Sequence, residues 1–323
     1  MRVRDSLLAA VAILAAGGLL SLGLADYSLR LLNLSVISAV AVIGFNVAFG
    51  LAGLISLGHA AFVGMGAYTL AILTTKLGWS PWLAAPVGVA VTTLFAALIG
   101  YPLLRLRGHY LALATLGLNV SFTIVTANWI ALTNGTNGIS GVPPFAVAGL
   151  AIDDERRFLW LGLVALAVVA AAAVALQRSR HGRAMMAVRD DETAARMSGI
   201  DVTRTKVAAL CLSAAAAGLA GVLFATHVRF VAPEDFNYAH SIVYLAMLIV
   251  GGEGTVVGAV IGAALLTFLP EWLRGLGDAY LAFFGLMMLV ILIFLPTGLI
   301  GLVRMAARLR FRRGAVATPR GAP

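Results

Sequence analysis

Three groups of residues in this chain have types and spacings that could do chemistry. Ser56 and His59, within GLISLGHAAFVGMGAY (53–68), place a hydroxyl and an imidazole three positions apart, the pair from which a general base could activate a nucleophile. That chemistry also needs an orienting carboxylate and a sharply turned nucleophile, and neither accompanies the pair. Residues three apart on one helix are neighbours at most, so hydrolysis is disfavoured. A neutral His59 hydrogen-bonded in a helix interface is the preferred reading over a substrate-contacting or proton-carrying one, because no acidic partner for a relay lies in the neighbouring spans.

The second group is Glu253 in GGEGT (251–255), a carboxylate among glycines. Deep in a membrane such a group is functional by default, whereas at an interface it sits in water. A structural turn is preferred here, with a gate or a contact to a partner as the alternative. The third group is DDETAARMSG (190–199). Asp190 or Asp191 can cap a helix of about two turns, Glu192 suits its first turn, and Gly199 can end it in the left-handed region. Ala194, Ala195 and Met197 would form a compact surface bordered by Arg189 and Arg196. It is either a solvated connection or a docking helix that enters a groove on a partner.

The elements around these residues are set by composition. Hydrophobic residues make up 61% of the 323 and charged ones 11%, with a mean hydropathy of +0.98. Those values belong to a polytopic membrane protein. Apolar runs long enough to span occur at 7–24, 31–51, 55–75, 82–104, 110–132, 158–176, 207–228 and 281–303, and a further region, 242–270, is interrupted at GGEGT. With the amino terminus inside, 17 of the 23 basic residues fall in inside segments, provided that 242–270 crosses an even number of times. The region is therefore read as two short helices or a re-entrant hairpin.

The expectation is an all-α polytopic membrane protein of about ten membrane segments, one pair short or re-entrant, with both termini cytoplasmic. The net charge of +9 then reflects topology and not nucleic-acid binding. MRVRD and the apolar run after it resemble both a first span and a signal peptide; 18 residues are long for a signal core, and the rest of the topology is the same either way. Cys211, the single cysteine, excludes an intrachain disulfide and is expected to pack in the core.

Small residues let helix backbones approach closely where lipid supplies no hydrophobic drive. Gly58 and Gly64 fit such a crossing, with Ser56, His59 and Tyr68 able to bond across it. Gly254, Gly258 and Gly262 are expected to form a second small-residue ridge after the GGEG break. Asn46, Asn119 and Thr126 are polar positions inside spans, either lining a pathway or bonding between helices. TNGTNGISGVPPF (133–145) holds the turn formers Asn134, Asn137 and Gly138 before the stiff Pro143 and Pro144. Asp153, Asp154, Glu155, Glu234 and Asp235 could supply rim charges for an external partner.

The run GRAMMAVRDDETAARMSGIDVTRTKVAALCLSAAAAGLAGVLFA (182–225) resembles the cytoplasmic loop and following helix of the M-type permease subunits of bacterial branched-chain amino acid ABC importers. GLISLGHAAFVGMGAY, YLALATLGLN (110–119) with TNGTNGISGVPPF, and SIVYLAMLIVGGEGTVVGAVIGAALLTFLPEWLR (241–274) with FLPTGLIGL (294–302) carry the same resemblance, in the family's order. SLGHAAF is shared with the related H-type subunits. The resemblance implies a single permease domain over 1–303 containing the coupling loop 177–206, followed by a basic cytoplasmic tail, 304–323. It also implies docking of the loop onto an ATPase subunit through Glu192, Ala194, Ala195 and Gly199, although Thr193 interrupts the family's glutamate-alanine-alanine pattern.

Further implied are a second, H-type permease, two cytoplasmic ATP-binding subunits, and a periplasmic or lipid-anchored solute-binding protein, in the bacterial inner membrane. No cofactor is expected on this chain: ATP would be bound by the partner subunits, and no G-x-x-x-x-G-K-[ST] loop occurs in the sequence. The rival class is a secondary transporter driven by an ion gradient, which calls for charged residues near the midplane. The spans offer only Glu253 for that role.

Overall fold

The computed structural model describes residues 25–106, 108–147 and 149–273, with isolated positions at 18, 285–286, 289 and 298–300. Most of the apolar runs 7–24 and 281–303, the two termini and the basic tail lie outside the described residues. Helix α1 (Asp26–Asn46) continues into a π-helical turn, Val47–Leu51. Then follow α2 (His59–Thr75), α3 (Pro81–Leu103), α4 (His109–Asn128), α5 (Glu155–Arg178), α6 (Arg180–Asp190), α7 (Glu192–Met197), α8 (Val202–Val228), α9 (Tyr238–Gly251) and α10 (Val256–Leu273).

Among the described residues, six helices are long and apolar enough to cross a membrane: α1 with its π turn, α3, α4, α5, α8 and α10. Helices α2 and α9 are apolar too but shorter. Leucines on the outer faces of α3 and α4, such as Leu98 at 74% exposure and Leu113 at 62%, are exposed and suit a lipid surround. The chain is a multi-pass membrane protein.

Helix α1 with its π turn is the axis of the bundle and mostly buried, and α5, α8, α9 and α10 pack around it. Helix α8 in turn carries α2 and α3. These crossings depend on small residues. A Cβ on Gly44 of α1 would meet the Ala216 Cβ of α8 at 2.6 Å, and one on Gly66 of α2 would meet the Gly218 Cα of α8 at the same separation.

Several expectations need correction. The run 55–75 is not one helix: Gly53, at φ +69°, turns the chain out of the π segment, and residues 53–58 run without helical structure to His59. Ser56 and His59 therefore do not share a helix. The polar loop 177–206 holds α6 as well as α7, because Met185 and Val188 give its first half a face that buries. Cys211 is half-buried and not in the packed seam of α8. The region 242–270 does divide at GGEGT, into α9 and α10.

The all-α expectation is amended by two small antiparallel pairs. Strand β1 (Ile139–Ser140) pairs with β4 (Phe230–Val231), and β2 (Ala146–Val147) with β3 (Leu150–Ala151). Both lie at the end of the bundle where α5 begins and α8 ends. Helices α6 and α7 lie at the other, and the 24 residues of α5 separate the two ends by roughly 36 Å at 1.5 Å per residue.

Candidate functional site

At the α6–α7 end, Asp191 adopts extended backbone and its Oδ1 accepts from the Thr193 and Ala194 amides at 2.7 and 3.0 Å, so it, and not Asp190, is the cap of α7. Asp190 is the last residue of α6. Gly199 ends the motif at φ +82°. Ala195 is buried against Val188 and Val202, which ties α7 to α6 and to the base of α8. It does not belong to the outward surface assigned to it from sequence; a six-residue helix lying on its own flanks turns its central residue inward. The outward residues of α7 are Thr193, Ala194, Arg196 and Met197, the last 83% exposed. Glu192 is ion-paired to Lys206 of α8.

Arg189, expected at the rim of this surface, faces the bundle instead. Its Nη1 donates to the Gly50 carbonyl at the π turn, and its Nη2 lies 3.2 Å from Glu253 Oε1 in the turn between α9 and α10. That turn is also held by α1, since the Gly254 amide donates to Asn46 Oδ1 at 2.8 Å. Gly254, at φ +73°, belongs to the turn and not to a helical ridge. The ridge that lets α9 and α10 touch is Gly251, Gly258 and Gly262: a Cβ on Gly258 would lie 2.9 Å from the Gly251 carbonyl.

In the bundle interior a second polar group forms where α2 begins. Gly58 precedes it and stands against α4, where a Cβ would come 2.6 Å from the Thr115 carbonyl. The Ala60 amide, one of the donors that a helix start leaves unpaired, donates to Ser241 Oγ of α9 at 2.9 Å. Asn119 Nδ2 of α4 lies 3.3 Å from the same hydroxyl, and both residues are fully buried. Sequence reading passed over Ser241; its position four residues after Asn237, which caps α9 through the Ala239 and His240 amides, places it in the first turn.

His59 bonds the Ala41 carbonyl of α1 through Nε2 at 2.9 Å and stacks on Phe45. Ser56 Oγ accepts from the Gly58 amide, so the two residues spend their hydrogen bonds on other partners. Gly64 makes room for the Phe122 and Phe236 rings, which also flank Tyr68 edge to face. Thr126 bonds back to the Phe122 carbonyl of its own helix. An apolar fissure of about 580 Å³ opens between α1, α3, α5 and α8, with Ser179 the one polar side chain among its described lining. It offers no partners for an ammonium and a carboxylate together.

At the opposite end Asn134 adopts the left-handed conformation and its Nδ2 donates to the Gly138 carbonyl, so the turn signals of 133–145 are used as expected. The loop is also stapled to 230–231 through β1 and β4. Asp153, Asp154 and Glu234 are exposed. Glu155 and Asp235 are not free rim charges: Glu155 accepts from Asn33 Nδ2 at 2.7 Å, and Asp235 Oδ2 accepts from the Ala232 amide at 3.0 Å. Burial, the largest influence on it, raises the Asp235 carboxyl above its ordinary value.

No solved structure matches the chain. It is 34% identical over 306 residues to the high-affinity branched-chain amino acid transport system permease protein LivM of Salmonella typhimurium, covering 88% of this chain and 72% of that protein, and as similar to LivM of Escherichia coli K12. Its identity to the permease protein LivH of Escherichia coli K12 is 24% over 289 residues, or 81% of this chain and 91% of that protein. The model of the family described as "Branched-chain amino acid transport system / permease component" matches residues 27–296, and the chain belongs to that family.

Proposed function

We propose that this chain is the M-type permease subunit of an ATP-driven importer and forms part of the translocation path for branched-chain or related hydrophobic amino acids. The observation that carries the reading is α7: a capped helix, anchored by Ala195 and Glu192, that presents Ala194, Arg196 and Met197 outward on a member of this permease family. A helix fixed at its base that presents Ala194 and Met197 beside Arg196 suits the groove of a partner. Membership of the family sets aside the secondary transporter.

In this reading the α6–α7 end faces the cytoplasm of a bacterium, in the inner membrane, and two ATP-binding subunits dock there, one of them on α7. An H-type permease completes the pathway. A periplasmic or lipid-anchored solute-binding protein meets the opposite end, where Asp153, Asp154 and Glu234 are exposed. Both termini are cytoplasmic and about ten segments cross, with α9 and α10 as the pair that meets at GGEGT. ATP binding closes the ATPase pair and displaces α7, and the permease distributes between outward-open and inward-open states. Ser56, Gly58, His59, Gly64, Tyr68 and Asn119 serve helix packing around the pathway.

The test is purification from the native membrane in mild detergent, with wild-type chain and with Ala194→Arg and Met197→Glu. Recovery of two ATPases and a second permease with wild type, and loss of the ATPases with the variants, is the expected result. A wild-type chain recovered alone, under conditions that keep other complexes intact, would overturn the reading.

A further inference from the structure

Arg189 is the last basic residue before α7, yet it points away from the docking surface. Helices α6 and α7 and the base of α8 form one unit, held by the Val188, Ala195 and Val202 contacts and by the Glu192–Lys206 pair. Whatever displaces α7 therefore moves α6 with it. Arg189 sits in the last turn of α6, and through it this unit reaches the two places at this end where the backbone of the bundle is interrupted.

The first interruption is the end of α1. The Leu54 amide donates to Ala48 and the Gly53 amide to Phe49, and the Gly50 carbonyl, of the kind a helix end leaves without a partner, accepts from Arg189. A cation also suits the negative end of a helix. Gly53 wraps the arginine stem closely: a Cβ there would lie 3.2 Å from Arg189 Cγ. The second interruption is the α9–α10 turn, where Glu253 takes the other guanidinium nitrogen, Gly254 is bonded to Asn46 of α1, and Gln177 of α5 lies 3.4 Å from the Gly254 carbonyl. The ion pair keeps 37% and 42% of its side chains exposed, so it adds little to stability. Its content is geometric, since one planar fork spans two acceptors on different elements.

We infer that Arg189 is the joint between the docking loop and the pathway: a positioning residue that delivers the displacement of α6 and α7 to the π turn of α1 and to the α9–α10 turn. This rests on the importer reading. It differs from a docking role, because Arg189 acts on this chain's own backbone and not on the ATPase.

The complex is purified with its ATPases, second permease and binding protein, reconstituted in liposomes, and uptake of a branched-chain amino acid is measured together with ATP hydrolysis. In Arg189→Met, assembly and ATP hydrolysis are retained while uptake per ATP hydrolysed falls at least tenfold. Arg189→Lys, which keeps the charge but offers one donor point, falls between. Glu253→Gln lowers the same ratio, and the double variant Arg189→Met with Glu253→Gln is no worse than Arg189→Met alone. Should Arg189→Met fail to fold, Arg189→Lys and Glu253→Gln carry the test. An unchanged ratio in assembled variants, or a double variant that loses the product of the two single losses, overturns the joint. Loss of ATPase recovery in Arg189→Met would place it in the docking face and overturn it too. A wild-type complex without ATPases is a different failure: the importer reading falls, and the joint with it.

Discussion

Lys206 of α8 is buried to within 9% of its side-chain surface, and the carboxylate of Glu192, the first residue of α7, is its ion-pair partner. The two sides of this pair are unequal, because Glu192 keeps 35% of its side chain exposed. Removing the carboxylate strands a buried ammonium, whereas removing the ammonium leaves a carboxylate that water can solvate. Glu192→Gln is expected to loosen α7 by about 1–3 kcal/mol, and Lys206→Met by less. Hydrogen exchange of the amides over 190–200 in the purified chain reads the difference. Equal protection in wild type and Glu192→Gln would remove the pair from the account of α7.

Gly199 closes the same motif at φ +82° with no neighbouring atom of the described residues within 4 Å of a Cβ position. Space is free there but backbone conformation is not. Gly199→Ala should cost about 1 kcal/mol of local stability, while Gly199→Asn, which tolerates the left-handed region, should cost less. The measurement is again exchange over 190–200. A larger loss for asparagine than for alanine would mean that side-chain bulk, and not φ, sets the requirement.

The sequence made the cap, the stop and the first turn of α7 readable, because Asp191, Glu192 and Gly199 act on the backbone next to them. It did not show which way the helix faces. Ala195 turned inward and Arg189 turned toward the bundle because of Val188 and Val202 and of Gly50 and Glu253, contacts that no local pattern encodes. The same division holds at 53–59. The abundance of small residues signalled a close crossing, but hydropathy alone ran the span through Ser56, since a break that α4 and α9 satisfy through Thr115 and Ser241 is as apolar as a helix. The division at GGEGT was legible because glycine and charge interrupt an apolar run in the chain itself.

His59 is held by a carbonyl of α1 and stacked on Phe45 with 1% of its surface exposed. An imidazole so placed fixes the start of α2 against α1. His59→Ala removes a hydrogen bond and leaves a cavity, with an expected loss of about 2–3 kcal/mol, felt as a lower unfolding temperature in detergent. Uptake normalised to assembled complex should remain within a few-fold of wild type. A variant that assembles normally and transports nothing would place the ring in the pathway.

Glycines in this bundle differ in what surrounds them, and that difference is testable without any transport assay. Gly66 faces the backbone of Gly218, whose Cα would lie 2.6 Å from an added Cβ, and a backbone has no rotamer by which to move aside. A Cβ on Gly117, of α4, would meet no neighbouring atom of the described residues within 4 Å. Gly66→Ala therefore forces α2 and α8 apart and should destabilise the bundle by about 1–3 kcal/mol, whereas Gly117→Ala should be neutral or stabilising by up to about 1 kcal/mol through helix propensity. Thermal unfolding of the two variants followed by size-exclusion chromatography separates them. If Gly66→Ala unfolds no earlier than Gly117→Ala, α2 and α8 do not depend on backbone contact at this crossing.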